Sequence, residues 1–261
     1  WLWLLADGRD GAPRALSMGP DTRRLYNTGD FDCDIATSEL LAMPAVNTVV
    51  ITAVDDRQNV TSVTVDLQYT TGVSWPETLT IDWGTVTDLQ DLAQIVDGEW
   101  EITPARTVRP VERGYDRLLD IGEWATWDDY EVTVPVTVHS IDTDGFPMPS
   151  AGPLVGLGFR WTGHTDFNTA PFQPLWGFWP TGGFAWYHWD NSSNYADGDF
   201  EIESNNFAGK TSLQEAFVFG AEYMFKARVT TLGDGRARYQ FKRWRPAIEA
   251  EPAGWTLELD G

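Results

Sequence analysis

The sequence predicts an all-β protein, a two-sheet antiparallel β-sandwich of jelly-roll type, and three observations carry that prediction. Tyr130, Val132, Val134, Val136 and Val138 occupy every second position while Glu131, Thr133, Thr137 and His139 fill the alternate ones, the period of a half-buried strand. Short strand-like runs recur between turn signals, over 130–140, 154–162, 184–189, 199–203, 215–219, 223–231 and 236–244, without the βαβ rhythm of a parallel sheet. Before them, only Leu89 to Val96 spaces its apolar residues as a helical turn does.

Taken in order, residues 1–46 read as an irregular N-terminal arm rich in Gly, Pro, Asp and Arg, in which Trp1, Trp3 and Leu5 alternate as a docking strand would. Residues 47–78 read as a β-hairpin, NTVVITAV and VTSVTVDLQYT joined by the polar Asp55 to Asn59. The pattern fits both a small immunoglobulin-like remnant and the first strands of the sandwich. The sandwich itself is expected over 79–261. It opens with short strands at Leu79 to Trp83, Asp97 to Ile102 and Tyr115 to Gly122, and Leu232-Gly-Asp-Gly235 marks a later hairpin turn.

Charge narrows the partners. Against 39 Asp and Glu stand 18 Lys and Arg, a formal net charge of -21, and the only lysines are Lys210, Lys226 and Lys242. Such a chain repels phosphate backbones and anionic lipid, so nucleic acid is not an expected partner. No run approaches the roughly 18 apolar residues of a membrane helix, so membrane insertion is not expected either. The single cysteine, Cys33, rules out an intrachain disulfide and reads as a packing residue.

The order of segments resembles a known family. DGEWEI, GYDRLLDIG, WDDYEVTVPVTV, GLGFRW, the aromatic WYHW strand, YMFKARVTT and RARYQFKRW, followed by Glu251-Pro-Ala-Gly-Trp255, are similar to the laminin-G-like bacterial branch of the concanavalin A-like lectin/glucanase superfamily, over roughly residues 79–261. The resemblance implies two curved antiparallel sheets that bind saccharides in many members, sometimes with calcium. Members close the second sheet with a strand after the segment matched by Trp255 to Asp260, which predicts an open sheet edge here. Trp1 to Leu5, the 47–70 hairpin or a neighbouring subunit would cover it, the last giving self-assembly.

Three sets of residues are candidates for chemistry. Strand alternation puts Asp197, Asp199, Glu201 and Glu203 on one face and Phe200 and Ile202 on the other. Superfamily glycanases carry Glu, Asp, Glu at the spacing of Asp199, Glu201 and Glu203, so these three are the catalytic candidates of a retaining glycoside hydrolase, though the first two differ in type. Against that stands a solvated edge strand whose charges block pairing. The second set is aromatic and polar: Arg160, Trp161, His164, Trp176, Trp179, Trp186, His188 and Trp189, where indole rings stack on sugar C–H faces and Arg or His bonds hydroxyls. Alternation requires Trp186 and His188 to point one way and Tyr187 and Trp189 the other, so one pair must be core. His164 and His188 are expected to share a rim if their strands pair. The third set is acidic loops suited to calcium, Asp142 with Asp144 and Asp190 with Asn194 and Asp197, neither completing an EF-hand.

The expectation that follows is a secreted or cell-surface module that binds carbohydrate without catalysis. A hydrolase acting through the 199–203 strand and a structural or adhesive subunit of an extracellular assembly are the alternatives.

Overall fold

A computed structural model describes residues 13–21, 24–25, 27–70, 75–111, 117–122, 126–142, 152–164, 175, 182–190, 195–204 and 209–261, with the backbone alone for 3–7. The described chain is built of antiparallel sheets with two single 3-10 turns, Thr37–Glu39 and Leu89–Asp91. It divides into two compact units. Unit 1 comprises residues 1–121 and 164–177, and unit 2 comprises 122–163 and 178–261.

In unit 1, strands β1 (Trp3–Asp7), β2 (Pro13–Leu16), β3 (Asn47–Val54) and β4 (Val60–Leu67) form one sheet in the order β2-β1-β3-β4. The 47–67 hairpin forms as expected. Asp55 closes its loop by accepting from the backbone N–H groups of Arg57 and Asn59. In the N-terminal arm the start docks as a strand, β1 pairing with both β2 and β3, and the arm is regular further on than expected, since Pro13–Leu16 is also a strand. That pairing also corrects the expected cover of a sandwich edge, since β1 and the hairpin build a sheet of their own. Leu16 and Val49 centre a small core with Met18, Cys33, Ile35 and Ile51 around it, the packing role expected of Cys33. Two short pairs complete the unit, β5 (Gln94–Asp97) with β8 (Leu118–Asp120) and β6 (Trp100–Ile102) with β7 (Val108–Pro110). Residues 79–83 form no strand, and Leu89 to Val96 splits into a 3-10 turn and β5.

Unit 2 holds two four-stranded antiparallel sheets. One runs β10 (Leu154–Phe159), β11 (Gly183–Trp189), β12 (Gly198–Ser204), β13 (Gly209–Gln214). The other runs β16 (Leu257–Asp260), β15 (Ala237–Trp244), β14 (Glu222–Thr231), β9 (Tyr130–Thr137). Their facing side chains meet in one core in which Phe159, Tyr187, Phe200, Tyr223, Phe225 and Phe241 are essentially solvent-free. The arrangement is sandwich-like. Tyr187 and Trp189 belong to this core, so of the two alternating sets it is Trp186 and His188 that face outward. Burial pushes the Tyr187 phenol up to about 12, and its hydroxyl is held between the Glu215 carbonyl and the Phe217 N–H. A strand expected at 215–219 forms instead at 209–214, and Leu257–Asp260 pairs with β15. No further strand is added to either sheet among the described residues.

Candidate functional site

The outward face of β11–β13 concentrates the chemistry. β12 reads GDFEIES, so Phe200 and Ile202 enter the core while Asp199, Glu201 and Glu203 point away from it. Pairing register sets the neighbours: His188 lies across from Asp199, Trp186 from Glu201, and Phe184 from Glu203. On the other side Lys210 lies across from Glu203 and Ser212 from Glu201. On β10 this face carries Leu154 opposite His188, and then only Gly156 and Gly158 opposite Trp186 and Phe184. At Gly156 an added Cβ would collide with the Ala185 carbonyl and the Cβ of Trp186, which ties the first glycine of PLVGLGF to the indole beside it.

Glu201 is the centre, only 2% exposed although it lies on the face opposite the core. Its Oε1 is 2.7 Å from the Lys210 ammonium, and its Oε2 accepts from the Trp186 indole N–H at 3.1 Å, with His188 Nδ1 at 3.7 Å. Burial alone would push this carboxyl up. The donors His188, Lys210 and Trp186, with the Lys210 charge, outweigh it and hold Glu201 below the usual carboxylate range. Its neighbours go the other way. Burial, reinforced by repulsion from Glu201, raises Asp199, and burial raises Glu203 despite Lys210 at 3.5 Å.

These facts correct the picture of a solvated edge ladder. β12 is an interior strand, flanked by β11 and β13, and its central acid is buried in an ion pair. Lys210, which completes that pair, is not among the expected site residues, because the strand expected at 215–219 begins six residues after the one that carries it, Gly209–Gln214. Asp199 differs again. It is half-buried, and its carboxylate makes no hydrogen bond or ion pair to any described residue.

His188 has a defined tautomer. Its Nε2 accepts the Gly152 backbone N–H at 3.3 Å, so the neutral ring carries its proton on Nδ1, the nitrogen facing Glu201. Nitrogen-15 NMR of the ring should show the Nδ1–H form. A spectrum of the Nε2–H form would mean that the Gly152 contact does not exist in solution.

The other expected ligand residues scatter. Trp189 is core, at 2% exposure. Trp186 is itself 8% exposed, which leaves half-buried Phe184, stacked on it at 4.7 Å, as the more open ring of the pair. Arg160 is a clamp rather than a free anchor: it reaches the Asp128 carbonyl, Asp129 and Thr231, and its backbone N–H bonds the Tyr130 hydroxyl. Trp161 follows directly after it and is half-buried. Trp176 and Trp179 lie outside the described residues. The His164 side chain, expected on a rim, is instead buried. It belongs to unit 1, where its Nε2 sits 2.7 Å from Asp97 in a pair with almost no exposure.

That pair is part of a buried charge centre absent from the sequence expectations. Asp97 also pairs with Arg24, whose guanidinium reaches Asp32 at 2.6 Å, Asp34 at 2.9 Å and the carbonyls of Val96 and Leu175.

For the calcium candidates, Asp144 and Asn194 lie outside the described residues. The Asp190–Asp197 loop is closed by backbone bonds, Asp190 N–H to the Asp197 carbonyl and Tyr195 N–H to the Asp190 carbonyl. Among the described residues no group of three His, Cys, Asp or Glu is placed to hold a metal ion, and no helix is long and apolar enough to cross a membrane. Comparison with family models, curated proteins and solved structures finds no match for this chain.

Proposed function

We propose that the chain is a secreted or cell-surface saccharide-binding module without catalysis, with unit 2 as a concanavalin A-like jelly roll and the outward face of β11–β13 as its binding face. The observation that carries this reading is the saturation of Glu201. A nucleophile must be ionised and reachable, and Glu201 is ionised only under a lysine and an indole that leave it 2% exposed. Around it the polar atoms are still open to a ligand. Asp199 offers an acceptor without a hydrogen bond to any described residue, Lys210 an ammonium on a half-exposed side chain, and half-buried Phe184 the edge of a ring already stacked on Trp186. That mixture, a few fixed polar groups beside an aromatic surface, suits hydroxyl-rich ligands.

Affinity electrophoresis through gels containing laminarin, xylan or soluble chitin derivatives tests it. Retardation by at least one neutral polysaccharide is expected, with Phe184→Ala and Asp199→Ala each weakening it about tenfold, a usual cost for a stacked ring or a central polar anchor. Absence of retardation on every gel would overturn the reading, as would retardation unaffected in both variants.

One observation favours a second reading. Glu201 held low and Glu203 pushed high on one strand is the split between nucleophile and acid that a retaining glycosidase uses. Reducing-sugar release by the parent chain, abolished in Glu203→Gln, would replace recognition with hydrolysis.

A further inference from the structure

Unit 1 contains an open depression of about 400 Å³, within the roughly 300–1,000 Å³ span of small-molecule sites. Its construction follows from three local elements. Asp88 caps the Leu89–Asp91 turn by accepting the Gln90 backbone N–H at 3.0 Å, and the turn directs Leu89 inward. β5 supplies Ile95. β6 supplies Trp100 and Ile102 from one face, while Glu101, on the other, pairs with Arg109. The Trp100 indole N–H bonds the Asp97 carbonyl at 3.0 Å, which pins the ring and occupies its only polar atom. What the wall offers a ligand is therefore aromatic and aliphatic carbon.

The rim is polar and uncommitted. The Thr87 hydroxyl and the Gln90 side-chain amide make no hydrogen bond to any described residue, and the second Asp88 oxygen makes none either. Among the described residues of the lining, Asp88 is the only charge. A carboxylate or phosphate ligand would meet that charge with no cation in the described lining to answer it. A purely apolar ring would strip water from Asp88 and Gln90 without replacing their hydrogen bonds. The remaining class has a ring with an apolar C–H face and hydroxyls on its edge.

We infer that this depression binds one neutral pyranose ring, stacked on Trp100 between Ile95 and Ile102, with its hydroxyls on Thr87, Asp88 and Gln90. This site is built by unit 1 and does not depend on the β11–β13 face proposed for unit 2.

The test is a nitrogen-15 NMR titration of the full chain with glucose, galactose and N-acetylglucosamine, reading the Trp100 indole resonance, assigned with Trp100→Phe. A saturable shift with a millimolar dissociation constant is expected for at least one sugar, about tenfold weaker binding in Gln90→Ala and Trp100→Ala, and no change in Phe184→Ala. Should Trp100→Ala fail to fold, Gln90→Ala on the exposed rim decides. The inference is overturned by no saturable shift up to about 100 mM sugar, by binding that survives Gln90→Ala undiminished, or by glucuronate binding as tightly as glucose. Loss of polysaccharide retardation in Phe184→Ala with the Trp100 shift intact would separate this site from the other.

Discussion

Replacing Arg24 with Met is expected to destabilise unit 1 by about 3–5 kcal/mol, the range seen when one member of a buried ion pair is removed and its partners stay behind. Arg24 is 6% exposed and Asp97 2%, so the carboxylate left behind has no water to turn to. Asp34 and Asp32 lose their counter-charge at the same moment, and the carbonyls of Val96 and Leu175 lose a donor. Arg24→Lys should rescue little, because an ammonium cannot reach three carboxylates and two carbonyls from one plane. The damage should be local in sequence. Leu175 is held to this centre twice, through its carbonyl on Arg24 and its N–H on Asp34 at 2.8 Å, so residues around 175 should gain hydrogen exchange together with 24–34 and 96–97. The core of unit 2 contains none of these residues. Calorimetry should therefore show one transition lowered by roughly 10–20 °C and the other near its original position. A variant that melts as the parent does would remove the buried centre from the account of unit 1.

The fold was legible where one physical signal dominated. Alternation alone placed β9, β11 and β12, because each has one face in a core and one out of it, and it forced the choice between Trp186 and Tyr187; the 47–67 hairpin was legible from its two β-branched runs and polar loop, although β4 is exposed along nearly its whole length. It failed where burial does not alternate. β13, whose residues are all half-buried or exposed, has no apolar rhythm to betray it, and so Lys210 was missed as the partner of Glu201. β2 lies in an arm whose Gly, Pro and Asp content signals loop, and only pairing with β1 makes it a strand. The charge centre around Arg24 was illegible for a different reason: its members come from positions 24, 32, 34, 97, 164 and 175, and no local spacing brings them together. The carboxylate ladder shows both limits in one element. Its side of the strand was legible, whereas its burial depended on the Trp186 and Lys210 side chains of neighbouring strands.

Lys210→Met is the second large expected loss, about 2–4 kcal/mol at neutral pH, because it leaves the Glu201 carboxylate buried with only neutral donors. The pH dependence identifies the cause. In the parent, Glu201 lies below its unfolded value, so its contribution is present above that value and is lost as pH falls through the folded one. Asp199 and Glu203 are raised by burial, so their contribution has the opposite sign: it is fully present in acid and is lost as pH rises through their folded values. Removing the ammonium lifts all three. Each then resists ionisation in the folded state, and the gap between variant and parent should widen as pH rises from about 4 to 7. Only in stronger acid, below the lowered value of Glu201 in the parent, are the carboxyls protonated in both proteins, and there the gap should nearly close. Glu201→Gln with Lys210→Met takes away the buried charge together with its partner, and the double variant should recover much of the loss at pH 7. Urea unfolding of parent, single and double variants at both pH values reads these differences directly. A gap that does not change with pH, or a double variant no more stable than Lys210→Met alone, would show that Lys210 stabilises β12 by packing its methylene stem and not by neutralising Glu201.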